Sequence, residues 1–136
     1  MMNTTIDIAQ AIYRLLKNSP VPAAISGGIY YKRPVGSLLE DIVINSLPIT
    51  AYGLQEGTAN VNIHVQNLQL TIAGQPDNSQ PNIQRLQQIA ALVIPILEDA
   101  FINDITITIQ QQTLFEEAEL REHYLNLRLQ IFSPNI

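Results

Sequence analysis

The sequence predicts an α+β fold: one mainly antiparallel or mixed sheet of four to five strands, two helices on one face, in the order α-β-β-β-α-β-β. Three observations predict it. Two stretches repeat their apolar residues with a helical period, several others alternate apolar and polar residues with the period of a strand, and Pro, Gly, Asn and Asp punctuate the joins. The chain is 136 residues long, and one domain spanning residues 1–136 is expected.

The first helix is expected from Thr5 to Lys17, because Ile8, Ala11, Ile12, Leu15 and Leu16 fall on one stripe. Thr4 and Asp7 have the spacing of a capping box, and Asn18, Ser19 and Pro20 stop the helix. Val21 to Ser26 connects, and Gly27-Gly28 turn into a short strand, Ile29 to Tyr31, which Pro34 and Gly36 break. A second strand, Asp41 to Leu47, carries Ile42 and Ile44 on one face. The third, Thr58 to Gln66, sets Val61, Ile63 and Val65 against Asn60, Asn62, His64 and Gln66. Leu68 to Gln80 reads as a loop by composition.

The second helix is expected from Pro81 to Phe101, with a broad apolar arc that includes Leu86, Ile89, Val93 and Leu97 and a kink at Pro95. Two strands follow, Asp104 to Gln112 and Arg121 to Ile131, joined by an exposed acidic connection at Glu116-Glu117-Ala118-Glu119. The alternation predicts one apolar sheet face under both helices and one amide-rich face.

Composition excludes several classes of function. The net charge of −5 and a pI near 4.8 disfavour binding to nucleic acid or an anionic membrane. Without cysteine there is neither a disulfide framework nor a thiolate metal site. The start lacks the basic and apolar regions of a signal peptide, and a cytoplasmic protein is expected. Charged residues are only 14% of the chain, and Asn and Gln outnumber them. Amides keep a surface polar yet can be pressed against another subunit more cheaply than charges.

No catalytic constellation is legible. His64 and His123 have no partner at metal-ligand spacing, and His64 reads as a polar sheet-surface histidine. Glu40-Asp41, Glu98-Asp99 and Glu116-Glu117 are adjacent in sequence. Such pairs read as solvated surface acids, not as an acid and base held across a cleft. Ser26-Gly27-Gly28 is too short to cradle a phosphate. We therefore expect no catalytic residue, no cofactor and no metal.

The helix Ile8 to Leu16, then Gly27-Gly28-Ile29-Tyr30, then Lys32, Arg33 and Pro34, resemble in order the tail-completion or tail-terminator family of long-tailed phages. The strands Asp41-Ile42-Val43-Ile44 and Val61-Asn62-Ile63-His64-Val65, the long helix after a variable loop and the closing strand pair extend that resemblance over nearly the whole chain. It implies a structural virion protein forming a ring, commonly a hexamer, that terminates the tail tube and joins it to the head connector or a neck protein. The implied partners are further copies of itself, the tail tube protein and the connector, with no direct nucleic-acid recognition and no membrane. The implied location is the virion, and the host cytoplasm during assembly. The amide richness and Gln110-Gln111-Gln112 depart from many members and leave the tail position open, a related neck ring included. The alternative is a small-molecule or peptide-binding module using the polar sheet face.

For an interface, Tyr30, Tyr31, Arg33 and Tyr52 are the candidates. They are of the types favoured at interface centres and lie in or beside loops. Packing of those loops onto their own domain is the competing reading. Tyr31–Leu39 and Leu68–Gln80 are expected to be mobile and to contact neighbouring subunits or the tube.

Overall fold

A computed structural model describes residues 2–51 and 53–134. Helix α1 (Thr5–Lys17) opens on a complete capping box: Asp7 N–H donates to the Thr4 hydroxyl at 3.1 Å, and Asp7 accepts from Thr4 N–H at 2.7 Å. A one-turn helix α2 (Val21–Ala24) and a two-residue strand β1 (Ile29–Tyr30) follow. Strands β2 (Ile42–Ile49) and β3 (Leu54–Gln66) lead to a hairpin, β4 (Leu70–Ile72) and β5 (Gln75–Asp77). Helix α3 (Ile83–Leu97) precedes β6 (Ala100–Ile102), β7 (Ile105–Glu117), a 3₁₀ turn at Ala118–Leu120, and β8 (Glu122–Pro134).

The expected sheet of four to five strands is incorrect. Six strands form one curled, mixed sheet in the order β1-β2-β3-β8-β7-β6, and β4-β5 form a second, small sheet. β1 runs parallel to β2, and the other pairs are antiparallel. The order α-β-β-β-α-β-β fails because it lacks α2, the β4-β5 hairpin and β6. Both missed hairpins turn on two residues of positive φ: Ala73 and Gly74 at 52° and 78°, Asn103 and Asp104 at 51° and 63°. That is the backbone of the tight turns whose twist matches antiparallel strands. Leu68–Gln80 is thus partly strand, and Ala100–Ile102 is strand where helix was expected. α3 ends two residues after Pro95, at Leu97, and Asp99 at φ 55° turns the chain away.

The apolar core lies between the helices and one sheet face. Ile8, Ile12 and Leu16 of α1 and Leu86, Ile89, Val93 and Leu97 of α3 are buried against Ile42, Ile44, Val61, Ile63, Ile107, Leu127 and Leu129. The two long central strands pair through thirteen residues, from Leu54↔Pro134 to Gln66↔Glu122. The opposite face is polar, where the Asn126 side-chain amide donates to the Oδ1 atoms of Asn60 and Asn62 at 3.1 and 2.7 Å. Among the described residues, no helix is long and apolar enough to cross a membrane.

Candidate functional site

At the end of the sheet where β3 finishes and β8 begins, four charged or titratable side chains converge. Arg33, in the loop after β1, donates from Nε to Asp41 Oδ2 at 2.8 Å, from Nη1 to Glu122, and from Nη2 to the Leu39 carbonyl at 2.8 Å. His64 Nδ1 lies 3.0 Å from Glu122 Oε1, and Gln66 donates to the other Glu122 oxygen at 3.0 Å. Asp41 also accepts from the Ser37 hydroxyl at 2.5 Å and from Gly28 N–H at 3.2 Å. Glu122 is fully buried, Asp41 is 1% exposed and His64 8%. The Tyr124 ring covers His64, with centroids 5.0 Å apart.

Backbone geometry makes the approach possible. Gly27 N–H bonds the Glu40 carbonyl at 3.1 Å. A Cβ on Gly27 would collide with Asp41 Oδ1 and lie 2.6 Å from the Glu40 carbonyl oxygen. The Gly27-Gly28 pair therefore serves close approach of two chain segments as well as a turn.

Burial alone would raise the Asp41 and Glu122 pKa values. Hydrogen bonds outweigh it, from Arg33, Ser37 and Gly28 N–H on Asp41 and from His64 and Arg33 on Glu122. With the charge of Arg33 they hold both carboxyls below their ordinary values. Glu40 is also lowered, chiefly by hydrogen bonds from Arg85. All three shifts are depressions. Their stabilisation is fully present above the unfolded carboxylate pKa of about 4, and it is lost as pH falls through the lower folded values. Urea midpoints measured from pH 7 down to pH 2 should fall below about pH 4. The fall should be shallower in an Asp41→Asn/Glu122→Gln variant. Equal slopes in both proteins would remove the network from the acid response.

Two expectations from sequence change here. His64 is not a sheet-surface histidine but a buried member of the network. Glu40-Asp41 is not a solvated pair: Asp41 holds Arg33, and Glu40 forms an ion pair with Arg85. His123 is also buried and lies 2.6 Å from Asn67 Oδ1. Spacing could not have found Glu122, which is 58 positions from His64 and 89 from Arg33.

The structure scatters the interface candidates. Arg33 is turned inward, with its side chain 14% exposed. Tyr30 lies over Gly28, half-buried. Tyr31 is half-exposed, its ring 5.2 Å from that of Tyr13. Tyr52 lies outside the described residues.

The network can hold the loop after β1 in place. Arg33 occupies the centre between the two carboxylates, and neither it nor Asp41, His64 or Glu122 lines the nearby cavity of about 400 Å³. That cavity is bounded by Leu38, Gln66, Asn67, Gln69, Asn78, Glu119, Leu120 and Arg121. Among the described residues, no group of three or more His, Asp or Glu is placed to hold a metal. Leu38 and Leu120 line this cavity and Leu70 lines one that shares Gln69, Asn78 and Arg121 with it, so the anchored loop, the 3₁₀ turn and the β4-β5 hairpin form an apolar rim there. Val35 is 99% exposed, and Leu38, Leu39, Leu70, Ile72 and Leu120 are all more than a third exposed. Exposed apolar patches of this kind mark contact surfaces.

No family model matches the chain, and neither does any curated protein. Among solved structures, the fold is similar to a chain described as "Virion of native gene transfer agent (GTA) particle". The TM-score is 0.62 at 10% identity, covering 91% of this chain and 92% of that one.

Proposed function

We propose that this chain is a structural virion subunit, not an enzyme, and that copies of it form a ring closing a phage-type tail tube toward the head connector. The observation that carries this reading is the fold likeness to a chain of a gene transfer agent virion, which extends over nine-tenths of both chains. The resemblance in sequence order to tail terminators supplies the finer position and the expected partners, tail tube protein and connector. The apolar rim supports a docking role, because an isolated protein gains nothing from a fully exposed Val35. The rim would seat on the tube, with the Arg33 network holding its loop in one shape.

The polar-face binding module is less well supported. Four cavities lie along helix–sheet edges and at the sheet end, and none of those four is lined by Asn60, Asn62 or Asn126.

Solution mass and imaging of the purified protein, alone and mixed with tail tubes, test the ring. Rim docking is tested by Val35→Asp and Leu38→Asp in a phage or prophage carrying this chain. Both residues are exposed, so folding stability should change by less than about 0.5 kcal/mol, while completed tails should be lost. Normal tails from both variants would rule out the rim as the docking surface. A protein that stays monomeric even with tubes present would rule out the ring.

A further inference from the structure

Both edges of the large sheet are only partly covered, and by different elements. On one edge, β1 pairs with Ile42 and Val43 and leaves β2 open from Ile44 to Ile49. On the other, β6 pairs with Ile105 to Ile107 and leaves β7 open from Thr108 to Glu117. Open edges of this length offer unpaired N–H and C=O groups to another strand, and proteins ordinarily blunt or cover them. Apart from Pro48, which withholds one donor, neither open stretch carries a proline or a lysine.

Each open edge has a groove beside it, roofed by a helix. Beside β2 a groove of about 420 Å³ runs between Ile6, Ala9 and Gln10 of α1 and Ile44, Asn45 and Ser46. Beside β7 a groove of about 550 Å³ is lined by Ile83, Leu86, Ala90 and Ile94 of α3, with Gln112 and Leu125. Ile6 is 67% exposed and Ile83 49%, so both helices carry apolar surface toward the open sides. The charges differ in sign. Arg14, Lys17 and Lys32 are exposed around Tyr31 on the β2 side, and Glu116 and Glu119 are exposed at the far end of β7.

We infer that the occupant of the β7 edge is the β2 edge of a second copy, paired antiparallel, so that the sheet runs on from subunit to subunit. This rests on the ring reading and specifies how the ring is joined. The two edges are different surfaces, so the contact is head-to-tail and can close into a cycle. Within one chain the register levels Ile44 with Gln112 and Ile49 with Ile107. Bringing the centres of the two open stretches together while keeping core-face residues opposite core-face residues shifts one copy by about four residues, about 13 Å along the strands. A closed, inclined sheet requires such a stagger. In that register Ser46 faces Leu114, both on the core face of the sheet, and Glu116 and Glu117 reach the neighbour's Tyr31, Lys32 and Arg14. The exposed Ile6 of one copy meets the α3 groove of the next, so the helix layer continues with the sheet.

The absence of cysteine makes the test clean. Chains carrying Ser46→Cys with Leu114→Cys, Asn45→Cys with Phe115→Cys, or Leu47→Cys with Thr113→Cys are oxidised as assembled protein. In one chain these positions lie three strands apart, about 15 Å, beyond the roughly 7 Å limit for a disulfide. Any disulfide therefore joins two copies. The expected result is a ladder of covalent multimers ending at the mass of the native assembly, whereas Thr113→Cys alone gives no ladder. As a second measure, Glu116→Lys/Glu117→Lys should weaken assembly at least tenfold, since like charges across an interface are strongly unfavourable. Arg14→Glu/Lys32→Glu in the same chain should restore it. Native-size assemblies that form no cross-link in any pair, with thiols that react freely, would overturn edge pairing and leave the ring intact. A chain that is monomeric alone and on tubes would overturn both.

Discussion

Replacing Arg33 with Ala is expected to cost about 3–5 kcal/mol of folding stability, the range for removing one partner of a buried ion pair. The guanidinium satisfies Asp41 and Glu122 together, at 1% and 0% exposure, and the loop carbonyl of Leu39 as well. Without it two carboxylates remain buried next to each other, and only Ser37, His64, Gln66 and Gly28 N–H are left to bond them. Arg33→Lys keeps the charge but not the planar fork. It should lose at least one charge-assisted bond, about 1.5–3 kcal/mol. The measurement is the urea midpoint at unchanged slope. An Arg33→Ala protein as stable as the parent, yet unable to assemble, would return Arg33 to the interface role its residue type suggests.

Leu127→Ala is expected to cost about 2–5 kcal/mol, in the upper half of that range. Leu127 is fully buried in β8, between Val61 of β3 and Gln112 of β7 in the ladder. Because both neighbouring strands are fixed by their own hydrogen bonds, the wall around the lost side chain cannot easily close in, and the cavity persists. A midpoint shift worth less than about 1 kcal/mol would place the Leu127 side chain outside the core.

Alternating strands and the long striped helices were legible from their own residues. Val61, Ile63 and Val65, and likewise Leu127 and Leu129, point their apolar rows inward because a strand has period two. β6 was not legible in the same way, since Ala100, Phe101 and Ile102 continue the apolar arc of α3 and only the turn at Asn103-Asp104 argues otherwise. The β4-β5 hairpin was hidden for a related reason: three-residue strands have too little alternation to register, and their signal lies in Ala73-Gly74. For the polar network nothing local was available. Arg33, Asp41, His64 and Glu122 meet only once β1, β2, β3 and β8 have been laid side by side, and no spacing rule spans 89 residues. What could be read was that these four are costly to bury alone, so that finding one buried would require finding the others.

The pairing of β3 with β8 has a consequence for how the molecule comes into being. Among the described residues β8 is the last of eight strands in chain order, yet it occupies the middle of the large sheet. Until it emerges, β3 and β7 have no common neighbour, and the apolar row Ala59, Val61, Ile63 and Val65 belongs to a bare edge. The principal contacts of the fold join residues far apart along the chain, and such contacts form slowly because a long loop must close first. A nascent chain halted before Glu122 would hold its helices and the β2-β3 hairpin around a missing centre, a state prone to capture other strands. The sheet is completed from within, by the strand that arrives last.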